Sequence, residues 1–410
     1  MYLRFAWRYF RSKKSTHAIQ IIAWITTLVI AFATCCQFLV LSVYNGFEDL
    51  VTSMYSSFYA EVKFVPKTGK YLQMDEAMFQ SLSKNEYVEA VSKVLEEKAL
   101  IQHGEQQTVI QLKGVDEQNS RVTGVASKMR EGNYDLGDSE NPNMIVGYGV
   151  KQAAGILLDS AFGPDILTVY LSKPGIQSNQ PLSSLSQGSI KVSGSFSIQQ
   201  EFDNSYAVTN LNFVQTQTGI ENGKYTSIEI KLKKTADEKK VIQSFEQCTQ
   251  GKYNIQNRYQ QNVSLYKTLR TEKWVIYAVL TMILIVAAFN MISALTMLVM
   301  EKDPDIKMLM SMGATQWQVK RIFLTEGMLL GGIGTLSGML IALLIGTGQM
   351  MFHWIPISGN SFLIDYFPIR FMWTDMLLIV ISSTTIISLS AWIPARASTR
   401  SKNLLDYKNQ

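Results

Sequence analysis

Several kinds of residue and motif that would give this chain chemistry of its own are scarce or missing. Of its three cysteines, Cys35 and Cys36 fall in an apolar run and Cys248 stands alone in the polar middle, so no disulfide can form within that middle block. His17, His103 and His353 lie far apart with no metal-ligand spacing. No G-x-x-x-x-G-K-[ST] run occurs, which excludes ATP held on a phosphate loop of this chain. G-x-S-x-G is absent too, and with His103 as the only histidine of the polar block no Cys-His pair suggests itself there. Charge is missing over four stretches: 15–47, 274–300, 327–364 and 376–395.

Those uncharged stretches carry the first positive conclusion. Each holds about the twenty apolar residues needed to cross roughly 30 Å of hydrocarbon. They predict transmembrane helices at 19–43, 273–300, 322–351 and 374–395. A mean hydropathy of only +0.06 follows from the polar block between the first two. Without internal Asp, Glu, Lys or Arg, the spans offer no ion or proton pathway. The opening segment, 1–18, carries Arg4, Arg8, Arg11, Lys13 and Lys14 and no acid, as a surface helix or a simple topogenic cluster would. Both readings keep the N-terminus inside, and the run 19–43 is too long for a cleaved signal, so it reads as an anchor. The polar block 44–272 and the loop 352–373 then lie outside, with 301–321 and the tail 396–410 inside. Lys302, Lys307, Lys320, Arg321, Arg396, Arg400, Lys402 and Lys408 fall on the inner side by this reckoning, against Arg370 in the short outer loop.

The predicted fold class is an α-helical membrane protein of four transmembrane helices, plus a large extracytoplasmic α+β domain between helices 1 and 2. Residue patterns predict strands at 61–65, 97–102, 108–113, 227–232 and 253–256, and helices over 75–84 and 237–247. They suggest two β-α-β halves separated by a β-rich insertion at about 116–224, in which 173–188 reads as a protruding loop. The segments 44–58 and 260–273 lack proline and are helix-compatible, so both can extend their spans as stalks.

The stretch 301–315, EKDPDIKMLMSMGAT, reads either as a short helix or as a capped surface loop. For a helix, Asp303 suits the N-cap, Pro304 the first turn, Asp305 the positive end of the dipole and Gly313 the stop. Ile306, Leu309, Met310 and Gly313 would share one face. In the third span Gly327, Gly331, Gly334 and Gly338 have a spacing that lets another helix approach closely, and Asn290 in the second is a single buried amide suited to packing or to a dimer contact. The serines and threonines of the fourth span can bond to backbone or to a neighbouring helix.

In this order the segments resemble the FtsX/MacB-type permeases of ABC systems, and within them the lipoprotein-releasing LolC, LolE and LolF type. LSVYNGFEDLV after the first span, FNMISALTMLVMEKDPDIKMLMSMGAT from the second span onward, and FLIDYFPIRFMWTD with SLSAWIPARAST near the end carry the similarity. Two departures stand out: family members often have an arginine at the place of Met310 and a charged pair at Asp303-Pro304. The resemblance implies a non-enzymatic permease subunit of the bacterial inner membrane, multi-pass, with cytoplasmic N- and C-termini. Its implied partners are a cytoplasmic ABC ATPase carrying the ATP and Mg, a second permease copy or paralogue, lipoprotein cargo, a periplasmic carrier protein and membrane lipids. No cofactor on this chain and no nucleic acid are expected. By position, Asp305, Ile306, Leu309, Met310 and Gly313 match the face that enters the ATPase. Val40, Val43, Phe47, Val279, Ile283 and Val286 are candidates for a lateral opening that admits cargo. LolC-like and LolE-like roles both remain open, as does 173–188 as a carrier-binding loop. The alternatives are an FtsX-like regulatory scaffold for an external hydrolase, a MacB-type efflux or peptide-export permease, and a membrane-tethered hydrolase.

Overall fold

The computed structural model describes residues 17–158, 165–174, 185–356 and 366–397. The basic opening segment, the centre of the 173–188 loop and all but the start of the tail lie outside these residues. Helix α1 spans His17–Phe58; strands β1 (Val62–Pro66) and β2 (Leu72–Gln73), helix α2 (Glu76–Ser83) and strands β3 (Val88–His103) and β4 (Gln106–Val115) follow. Next come β5 (Met129–Gly132), β6 (Asn143–Gly147), β7 (Ile166–Ser172), β8 (Leu185–Phe196) and β9 (Tyr206–Asn210), interspersed with short helices. Strands β10 (Lys224–Tyr225) and β11 (Ser227–Leu232), helix α3 (Glu238–Cys248) and strand β12 (Tyr253–Asn257) complete the polar block. The remainder is helical: α4 (Val263–Glu301), α5 (Asp303–Ser311), α6 (Gln316–Phe352) and α7 (Trp373–Ala397). Two compact units result, one of residues 51–266 and one of 1–50 with 267–410.

In the second of these, α1, α4, α6 and α7 are long and apolar enough to cross a membrane. At 1.5 Å per residue a crossing needs about twenty residues. α1, with 42, and α4, with 39, run well past that without a break. Glycine decides how the helices meet. A Cβ on Gly338 would lie 2.2 Å from the Ala31 carbonyl oxygen, and one on Gly334 2.9 Å from that of Thr27, so α1 rests directly on the α6 backbone. On the same stripe a Cβ on Gly327 or Gly331 would lie 2.6 Å from Ala391 Cβ or Ile387 Cγ2 of α7. Close backbone approach of this kind supplies van der Waals contact where lipid offers no hydrophobic drive between helices. The hydroxyls of Ser382, Ser383, Thr385 and Ser388 on α7 bond to carbonyls of their own helix.

Two expectations for these helices are corrected. Glu326 in α6 and Asp375 in α7 are buried at 2% and 6% exposure, so the helices do contain internal carboxylates. Both flank the uncharged runs, and the helices extend beyond those runs to include them. Asn290 is exposed, because it shares a side of α4 with exposed Val286 and Phe289, whereas Leu284, Ala287, Met291 and Leu295 turn inward.

The polar block builds one large sheet in the order β12-β1-β11-β3-β4-β9-β6-β8-β5, with β7 bonded to β3 and β8. Strands from the two ends of the block alternate in it, since β11 lies between β1 and β3. The segment 116–224 is not a separate subdomain: β9 pairs with β4 in parallel, and β7 with β3, so its strands extend the same sheet. The hairpin β3–β4 is longer than its hydrophobic runs suggested, because ten residue pairs in register carry the charged Glu96–Lys113 and Lys98–Gln111 positions along. Likewise Leu185–Gly188, expected in the loop, belongs to β8 and pairs with β7. Alternation sends Ile228, Ile230 and Leu232 of β11 into a core with Phe64, Val241 and Phe245, under α2 and α3. Glu229 turns to the opposite side, where Lys113 Nζ donates to its two oxygens at 2.8 and 3.0 Å, both side chains being buried. There the last turns of α1 join the domain: Phe58 stacks on Phe202 with ring centroids 4.3 Å apart, and Lys113 lies 5.0 Å from the Phe58 ring.

Two outcomes follow from this packing. Gly338→Ala is expected to cost about 1–3 kcal/mol through overpacking, whereas Gly332→Ala, whose Cβ would meet nothing within 4 Å, should be neutral or slightly stabilising; thermal unfolding in detergent reads the difference. In the sheet domain, burial pushes the Asp203 carboxyl above its usual range, although it accepts hydrogen bonds from the Ile198 N–H and the Ser197 hydroxyl. A raised folded-state pKa favours the protonated fold, so this contribution is complete below the unfolded value and is lost as pH rises through the folded one. Asp203→Asn should therefore flatten the fall in stability above about pH 4, measured as the melting temperature against pH.

Candidate functional site

The segment between α4 and α6 is a helix, fixed at both ends by its own backbone. α5 starts at Asp303, one residue earlier than the sequence suggested, with Lys302 at the cap position and Pro304 in the first turn, where no N–H is missed. Asp303 is therefore inside the helix and pairs with Lys307 at 2.6 Å, one turn on. At the other end Gly313 adopts φ +99°, the Gly313 N–H donates to Met310 O at 3.1 Å, and the Ala314 N–H to Leu309 O at 3.0 Å. This is a Schellman stop, and the left-handed residue in it favours glycine. Thr315 immediately caps α6 through a reciprocal capping box with Gln318. The turn thus leaves α5 little freedom to rotate.

Its orientation turns part of the expected docking face toward the chain's own helices. Ile306 is buried at 4% exposure against Leu298, Val299, Val319, Phe323 and Ala395, and Met310 packs partly on the same cluster. The reason is helical spacing: the apolar face i, i+4 finds α4, α6 and α7 of its own chain before it can meet any partner. Leu309 is half-buried and Gly313 serves the stop. Asp305 lies 3.7 Å from Lys302. The apolar residues left exposed are Met308 and Met312, at 56% and 69%, with Trp317 at 55% just beyond the turn.

Asn45, Lys273 and Asp375, from three different helices, form a second constellation that the sequence reading missed. Asn45 of α1 donates from Nδ2 to Asp375 Oδ2 of α7 at 2.7 Å. Lys273 of α4 donates to Asn45 Oδ1 at 2.8 Å and lies 3.1 Å from the same carboxylate. Beside them Arg370 pairs with Asp49, and its N–H donates to Ser42 O at 2.9 Å. Gly46 allows the chain at Pro368 to lie on α1, since a Cβ there would be 2.3 Å from the Pro368 oxygen. Every charge in this group has a counter-charge, and it contains no nucleophile with a base; it is suited to holding three helices together and not to catalysis. The available signal was a lysine and an aspartate placed immediately before two uncharged runs. Among the described residues no three His, Cys, Asp or Glu side chains converge as a metal ion would need.

Of the six candidates for a lateral opening, Val40, Phe47, Val279, Ile283 and Val286 are exposed and Val43 is half-buried. α1 and α4 are bridged behind them by a hydrogen bond from Gln37 Nε2 to Thr281 Oγ1 at 3.1 Å.

Comparison with known families resolves the class. The MacB-like periplasmic core domain matches residues 23–247, more than half of the chain, and the FtsX-like permease C-terminal region matches 277–402. The chain belongs to the FtsX/MacB permease superfamily. It is 23% identical over 407 residues to the lipoprotein-releasing system transmembrane protein LolE of Haemophilus influenzae, covering 96% of each chain. The LolC proteins of Xylella fastidiosa strain 9a5c (26% identity, 81% of this chain and 78% of the relative) and Neisseria meningitidis serogroup B (23%, 96% of each) are similar too. The permease is thus of the LolC/LolE type. Both regions reported above, α5 with its turn and the cluster's Asp375 and Arg370, fall in the FtsX-like part.

Removing one partner of the buried cluster should be worse than removing two. Lys273→Met leaves Asp375 buried without a cation and is expected to lower stability by about 3–5 kcal/mol, while Lys273→Met with Asp375→Leu recovers most of it. Thermal unfolding of the three proteins in detergent checks this.

Proposed function

We propose that this permease is a subunit of an ABC transporter that releases lipoproteins from the bacterial inner membrane to a periplasmic carrier, driven by a separate ATPase that carries the ATP and Mg. The relatives' names, matched over nearly the full length, support the cargo class. Basic residues on the α5 side support a topology with both termini cytoplasmic and the sheet domain outside. The observation that carries the mechanical part is α5: a helix clamped by a Schellman turn and a capping box, seated on its own bundle through Ile306, and presenting Met308 and Met312 outward. A push on such a helix reaches α4 and α6 without being absorbed by a flexible loop. Ile306 and Met310 then transmit force inward, and Met308, Met312 and Lys307 form the face for the ATPase. Methionine is well suited there, being flexible and polarizable in a groove.

Asn290, an amide on an exposed apolar side of a membrane helix, supports pairing with a second permease copy or paralogue through α4, where an interhelical hydrogen bond is worth about 0.6–2 kcal/mol. The exposed Val279, Ile283 and Val286 on the same helix would then border a lateral opening for the acyl chains.

The test is complementation of cells depleted of this chain. Wild type should restore release of lipoproteins from the membrane. A Met308→Asp, Met312→Asp variant should still fold, yet bind the ATPase roughly 30-fold more weakly, as expected for loss of about 2 kcal/mol at an interface anchor, and fail to restore release. Normal lipoprotein release in depleted cells sinks the cargo reading; unchanged ATPase binding by the variant sinks the docking face.

A further inference from the structure

A cavity of about 220 Å³ lies beside the polar cluster, bordered by α1, α4 and α7. Its walls are apolar: Leu41 from α1, Leu378 from α7, and Trp274 and Tyr277 from α4. The two α4 rings meet edge to face with centroids 5.9 Å apart, and Trp274 is 55% exposed. They stand where α4 passes from the charged residues Arg270, Glu272 and Lys273 into its uncharged run, and tryptophan and tyrosine at such a boundary sit at the level of lipid headgroups.

The charge balance of the cavity points to its ligand. Lys273 and Asp375 line it but neutralise each other at 3.1 Å, and the Asn45 amide satisfies both. Glu272, which does not line it, faces the Tyr44 hydroxyl at 3.4 Å. Arg270 also lines the cavity, is exposed, and makes no hydrogen bond or ion pair among the described residues. The net charge presented to a ligand is therefore one uncommitted guanidinium, whose planar fork matches a phosphate in bidentate fashion. Below that cation the walls are hydrocarbon and aromatic, which a small inorganic anion would leave unused.

We propose that this cavity binds an anionic phospholipid of the surrounding bilayer, its phosphate on Arg270 and its acyl chain along Trp274, Tyr277 and Leu378. The site is a basic pocket between membrane helices, of the kind that selects acidic headgroups. Bound there, the lipid would bear on α1, α4 and α7 next to the contacts that join them, so bilayer composition could bias that junction. The inference rests on the helices crossing a bilayer and does not depend on lipoprotein release.

Native mass spectrometry of the purified full-length chain, equilibrated with equal phosphatidylglycerol and phosphatidylethanolamine, tests it. Wild type should retain phosphatidylglycerol in preference. Arg270→Ala should retain about tenfold less, as expected for loss of a charge-assisted hydrogen bond, with Arg270→Lys intermediate. Because Arg270 is exposed and unpaired, the variants should melt like wild type. Phosphatidylglycerol carrying brominated acyl chains should quench wild-type fluorescence more than that of Trp274→Phe. Equal phosphatidylglycerol retention by Arg270→Ala and wild type overturns the proposal, as does wild type that holds both lipids equally or neither.

Discussion

The absence of a Cβ along one stripe of α6 is the constraint on which the membrane unit rests. Gly334 and Gly338 receive the α1 backbone and Gly327 and Gly331 receive α7, so a single helix organises two neighbours. In lipid, burying apolar side chains between helices gains little over leaving them in hydrocarbon, and close approach of backbones is what remains. Once α1 and α7 are set at that distance, Leu295, Leu330, Ile387 and Ala391 fill the space between helices. The position of α5 follows, because its flanking helices α4 and α6 are both part of that bundle.

Rigidity at the α5 turn and rigidity at the Lys273–Asp375 cluster have different physical origins. In the turn, backbone hydrogen bonds and one left-handed glycine satisfy groups that helix ends otherwise leave open. In the cluster, two opposite charges and an amide are buried together, an arrangement that adds little net stability but makes separation of the helices costly, since either charge left alone would be desolvated without a partner. Both devices hold the helices where they meet their neighbours and leave the rest of the bundle surface exposed. The sheet domain repeats the device with Lys113 and Glu229 beneath the last turns of α1.

Much of this was legible from residue order. Runs without charge marked the four membrane helices, alternation at Ser227–Leu232 marked β11, and the Asp-Pro and Met-Gly-Ala-Thr signals bracketed α5. These are local properties, fixed by side-chain chemistry within a few residues. Boundary charges were less legible: Glu326 and Asp375 stand at the edges of uncharged runs, where a sequence reading treats them as the start of water, and only the extended helices show them to be buried.

What the sequence determined by itself was therefore the segment order, the helical spacing of the glycines and the Pro and Gly signals that bracket the segment between α4 and α6; that this segment is a helix and not a capped loop was settled by the structure. The tertiary structure alone decided which way each face points. Ile306 and Met308 are both apolar and two residues apart, and no local rule says which turns inward; the hydrophobic cluster of α4, α6 and α7 takes Ile306 and leaves Met308 outside. The strands of 116–224 likewise could have formed a sheet of their own, until pairing of β9 with β4 and β7 with β3 merged them into one. Such choices depend on contacts between residues far apart in the chain, and pattern within a window cannot encode them.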